Sequence, residues 1–173
     1  MAMSRPKIVV SDSSVVMDLA NVRLVEPVVR LPFEFVIPDV ILARDVHDLG
    51  PYTAEQLLRL GFVAGGLDGA QTRCARDYFL QHRRRLSFSD CFAWRLAEVH
   101  KGILMTGDVN LSIVATAVSV EVRGLLWVVE MMAKHKISTG SVLAEALDRL
   151  GSDPLRKLPE AETRALREWL KAG

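Results

Sequence analysis

Apolar positions fall along this chain in two rhythms. Short aliphatic and β-branched runs bounded by polar residues occur at KIVVSD (7–12), FEFVIPD (33–39), ILMTGD (103–108) and VEVRGLLW (120–127). That pattern suits strands buried on both faces. Between them the spacing turns helical. DVILARDVHDL (39–49) sets Val40, Ile41, Ala43, Val46 and Leu49 near one face, with Asp39 as the expected cap. GPYTAEQLLRLG (50–61) has Thr53 as cap and Gly61 as stop, and two longer helices are predicted over 68–85 and 86–102, the latter capped by Ser87 or Ser89. Strands separated by helices imply a parallel sheet covered on both faces.

Beyond the last strand the pattern is helical throughout, with segments at 124–136, 138–151 and 159–173, and with Pro154 and Pro159 bracketing a linker. The expected division is a sheet domain over 1–135 and a helical extension over 136–173, an αα hairpin that packs on the domain or on a partner. The 173 residues suffice for a substantial core without disulfide staples. Cys74 and Cys91 lie in predicted helices without His at metal spacing, which reads as two reduced, buried thiols. No apolar run approaches the ~18 residues of a membrane span. The N-terminal MAMSRPK lacks the apolar core of a signal peptide, so a soluble cytoplasmic protein is expected.

Lys and Arg number 22 against 21 Asp and Glu, so no global positive field announces nucleic acid and any such contact must rest on local patches. Candidate chemistry lies in the acids. Ligands of open parallel sheets collect outside the carboxyl ends of the strands, where Asp12 and Asp108 end two predicted strands. Asp90 falls in the first turn of the helix opened by SFSD (87–90), where the helix dipole tolerates an anion, although a first-turn acid can equally be structural. A fourth acid is expected from the helix after VIPD, Asp45 rather than Asp48. Carboxylates gathered in one cleft raise one another's pKa unless a cation intervenes. An all-oxygen donor set suits Mg²⁺ or Mn²⁺, and metal-assisted phosphodiester hydrolysis follows as the chemistry.

The order VVSDSSVVMDL, IPDVILARDV, LSFSDCFAWRLAEVHKGILMTGDVNL and VEVRGLLWVVEMM, and above all the spacing of Ser87, Asp90, Ala97, Leu104, Thr106, Asp108 and Leu111, resembles the PIN-domain ribonucleases, including the VapC toxins of toxin–antitoxin modules. The resemblance implies a three-layer α/β/α sandwich around a central parallel sheet of about five strands. It also implies Asp12, Asp45, Asp90 and Asp108 as an acidic quartet, with Asp12, Asp90 and Asp108 holding Mg²⁺ or Mn²⁺. The family's second acid is usually Glu, so Asp45 is shorter by about 1.5 Å, a gap that water can bridge. Thr106 and a serine beside Asp12, Ser11 or Ser13, are candidate donors to the carboxylates.

The implied partners are single-stranded RNA, an antitoxin in the toxin branch, and a second copy of the chain in a homodimer. Arg83, Arg84 and Arg85 are either a solvated face or a phosphate clamp before the acid-bearing helix. The four histidines are scattered, with only His47 near the expected acids. An alternative from another class keeps the fold and gives up catalysis: an RNA- or protein-binding scaffold weakened at Asp45. A receiver-like reading fails because VEVRG runs into LLWVV without the expected Lys.

Overall fold

The computed structural model describes residues 6–43, 49–153 and 158–172. Within them the chain runs β1 (Lys7–Ser11), α1 (Ser13–Asn21), α2 (Val25–Val28), β2 (Phe33–Pro38), α3 (Asp39–Leu42), α4 (Ala54–Leu60) and β3 (Val63–Gly65). It continues through α5 (Gly69–His82), α6 (Phe88–His100), β4 (Ile103–Met105), α7 (Val109–Ala117), β5 (Glu121–Arg123), α8 (Leu125–Lys134), α9 (Gly140–Gly151) and α10 (Glu160–Ala172). The sheet has five strands in the order β3-β2-β1-β4-β5, and every pairing is parallel.

Neighbouring residues of the inner strands enter opposite layers, which is why these strands read as continuous apolar runs rather than alternating ones. Val9, Phe35, Ile37, Ile103 and Met105 face a core shared with α1, α2, α8 and α9. Val10, Val36 and Leu104 face a second core with Cys91, Ala93, Leu96 and Ala97 of α6 and Leu111 and Ala115 of α7. The result is the expected α/β/α sandwich. Leu143, Leu147 and Leu150 of α9 and Leu170 of α10 belong to the first core, so the tail packs on the sheet domain itself. The two tail helices approach so closely that a Cβ on Gly140 would lie 2.2 Å from the Leu170 carbonyl oxygen. No helix among the described residues is long and apolar enough to cross a membrane.

Several local expectations shift. Asp39 is the first residue of α3 rather than its cap; Pro38 holds the cap position, and no side chain closes that end. The strand expected over 120–127 ends at Arg123, and Gly124 caps α8. The apolar LLWVV run looked continuous with the strand, yet its burial follows Leu125, Val128, Val129 and Met132, a helical face. β3, too short at three residues to show a period, and helices α1 and α2 lie outside the expected set. Thr53 closes a capping box with Gln56, and Gly61 ends α4 at φ +119°, a left-handed position that favours glycine.

Candidate active site

In the strand order β3-β2-β1-β4-β5 the chain first builds outward from β1 to β3, then returns to the other side of β1 for β4 and β5. The direction of winding therefore reverses between β1 and β4, and the loops leaving those two strands diverge into a crevice at their carboxyl ends. Asp12 follows β1 and Asp108 follows β4. Both acids expected at the strand ends thus stand at the switch point of the sheet.

Asp12 is 3% exposed. As N-cap of α1 its Oδ1 accepts from the Val15 N–H at 3.0 Å and from Ser14 Oγ at 2.8 Å. Its Oδ2 accepts a short hydrogen bond from Thr106 Oγ1. The same Thr106 oxygen accepts the Asp108 N–H at 3.0 Å, and the Thr106 N–H is fixed by the Arg123 carbonyl at 3.0 Å. One buried hydroxyl therefore couples the two strand-end acids. Asp108 caps α7 through Oδ1, which accepts the Leu111 N–H at 3.0 Å. The serine that donates to Asp12 is Ser14, not Ser13; Ser11 Oγ turns to the Asp12 backbone carbonyl.

Asp90 sits at the third position of α6. Its Oδ2 accepts the Ser87 N–H at 2.7 Å, while Ser87 Oγ accepts the Asp90 N–H, a complete capping box. The structural role weighed for Asp90 is therefore present. Its charge also reaches Asp12, whose carboxyl is pushed above its ordinary value of 3.8, chiefly by burial, against the opposing hydrogen bonds from Thr106, Val15 and Ser14, with Asp90 adding to the rise. Among the described residues no cation pairs with Asp12. Burial also pushes the Cys91 thiol up to about 12, leaving it protonated and inert.

Asp45, with His47 and Asp48, lies outside the described residues. Arg83, Arg84 and Arg85 are exposed in the turn between α5 and α6, immediately before the helix that carries Asp90.

Among the described residues no three His, Cys, Asp or Glu side chains form a group that could hold a metal ion. The carboxylate oxygens at this edge are of the hard donor type that a divalent cation such as Mg²⁺ takes. Within the described residues Asp90 Oδ1 and Asp108 Oδ2 accept no hydrogen bond. Mg²⁺ characteristically keeps several waters and binds through one or two carboxylates, so it needs no closed protein cage.

A doubly covered parallel sheet with buried and half-buried acids at its switch point is an α/β class with a ligand crevice at that edge, and does not by itself define an activity. The family model for the PIN domain matches residues 8–171, and the chain belongs to the PIN-domain family. PIN domains are in general nucleases, hydrolases that act on nucleic acid. No curated protein sequence matches the chain.

Proposed function

We propose that this chain is a metal-dependent ribonuclease that hydrolyses phosphodiester bonds in single-stranded RNA. The observation that carries the reading is Asp12, a carboxylate buried at the sheet's switch point beside a like charge, without a cationic partner among the described residues. Such an arrangement lowers stability, and perturbed ionisable groups cluster where chemistry is done. In this reading Asp12, Asp90 and Asp108 hold Mg²⁺ or Mn²⁺ directly or through water, and Asp45 completes the acidic set. When bound, the ion supplies a water of lowered pKa and neutralises charge on the phosphoryl oxygens.

The chain's own contribution is positioning. Thr106 and Ser14 fix the Asp12 carboxylate, and the capping bonds of Asp90 and Asp108 hold one oxygen of each while leaving the other for a ligand. Arg83, Arg84 and Arg85 contact backbone phosphates of the strand entering the site. A toxin of a toxin–antitoxin pair, assembled as a homodimer, is the narrower form of this reading. Its check is whether an adjacent short reading frame encodes a protein that binds this chain and suppresses cleavage.

The direct test incubates purified protein with end-labelled single-stranded RNA in Mn²⁺ or EDTA beside Asp90→Asn. Cleavage that needs Mn²⁺ and is lost in the variant supports the nuclease. Equal traces in every lane favour the scaffold instead.

A further inference from the structure

Beside the acids, a cleft of about 710 Å³ opens between the start of α1, the loop after β4 and the first turn of α8. Ser14, Asp18, Thr106, Asp108 and Asp153 contribute its polar groups, while Met17, Leu126 and Trp127 contribute its apolar wall. These three apolar residues are each partly exposed. Val109, the first residue of α7, is 70% exposed at the same cleft. Trp127 packs against Phe33, with ring centroids 5.3 Å apart.

We propose that this cleft seats a nucleobase of the single-stranded substrate, next to the phosphate presented to the acids. The inference rests on the nuclease reading and adds where the strand lies and what holds it. Three observations favour a base over other occupants. The cleft is continuous with the acids, since Thr106 and Asp108 belong to both. Its lining carries the carboxylates Asp18, Asp108 and Asp153, which disfavour a phosphate inside it, while its apolar wall suits a neutral planar ring. Its volume lies within the range of about 300–1,000 Å³ in which proteins enclose small ligands, whereas a folded partner needs a broad surface. Stacking against such a wall is tolerant of base identity, because every base has a π-face.

The test is binding in EDTA, so that it does not depend on cleavage. Fluorescence anisotropy compares labelled oligouridylate with an abasic ribose-phosphate chain of the same length, using the full chain. Wild type binds the base-bearing chain about tenfold to hundredfold more tightly. Met17→Ser and Leu126→Ser each narrow that ratio severalfold, with far-UV circular dichroism unchanged. Trp127→Phe keeps the ratio, which separates a lost stacking face from a collapsed α8.

Equal affinity for the two chains, the result expected of a cleft built for a protein segment, overturns the proposal. So does a ratio untouched by both serine variants, or binding of neither chain. Absence of Mn²⁺-dependent cleavage in a protein that still prefers the base-bearing chain counts against the nuclease reading alone.

Discussion

At the amino edge of the sheet, Glu121 of β5 is paired with Lys7 of β1 and with Arg123 at 3.1 Å, and its carboxyl is held below its ordinary value, first by the Lys7 hydrogen bond. At the carboxyl edge Asp12 is buried against hydroxyls, a backbone N–H and the charge of Asp90, and its carboxyl is pushed up, first by burial. The same functional group therefore meets opposite treatment within one sheet. Glu121 is placed where neighbours and solvent satisfy it, and it is the kind of surface pair that contributes about 0–1 kcal/mol. Asp12 is placed where its negative charge is costly, as the proposed role in holding a cation would require.

The largest separation of the two edges is expected in activity. Asp12→Asn and Asp108→Asn each reduce Mn²⁺-dependent RNA cleavage by at least about a hundredfold, while Glu121→Gln stays within about twofold, read from initial rates on one labelled RNA. Comparable losses at both edges would break the comparison.

Thermal denaturation sharpens it next. Saturating Mn²⁺, at about a hundred times its dissociation constant, stabilises wild type by about 2.7 kcal/mol, a rise of about 2–4 °C in Tm per kcal/mol for a chain of this size. The rise is smaller in Asp12→Asn and unchanged in Glu121→Gln.

Thr106→Val removes the hydroxyl shared by Asp12 and Asp108 and costs about 1–3 kcal/mol. Because that hydroxyl lowers the Asp12 pKa, its loss moves the acid limb of the pH–rate profile to higher pH, and Thr106→Ser restores it.

The smallest expected effect is one of sign, measured in EDTA from acid to neutral pH. Asp12 has a raised folded pKa, so the native state holds a proton that the unfolded chain releases. Stability is therefore lost as pH climbs above 3.8. The advantage of Asp12→Asn over wild type should then grow toward neutral pH. Glu121 has a lowered folded pKa, so its contribution is present above 4.5 and fades as pH falls through the folded value. The deficit of Glu121→Gln should shrink toward acid. Parallel slopes in the two variants would show that the edges are electrostatically alike.

Much of this arrangement was legible in the residues. Doubly buried strands must be apolar along their whole length, so β1, β2 and β4 announced themselves, and Thr53, Ser87 and Gly61 marked helix ends by local hydrogen-bonding chemistry. Asp12 and Asp108 could be placed at strand ends because each follows an apolar run within one to two intervening residues. β3 could not, since three residues carry no period, and the β5–α8 junction was obscured because the apolar run crosses it.

Taken by itself, the sequence determined the layered class of the fold through its apolar pattern, and the strand-end position of two acids and the first-turn position of a third through signals within a few residues. Tertiary structure alone decided that Thr106 reaches Asp12 across 94 residues, and that an apolar cleft adjoins Asp108. The reason is physical: β1 and β4 become neighbours only when the parallel sheet closes, and the burial that raises the Asp12 pKa exists only once both helix layers cover it.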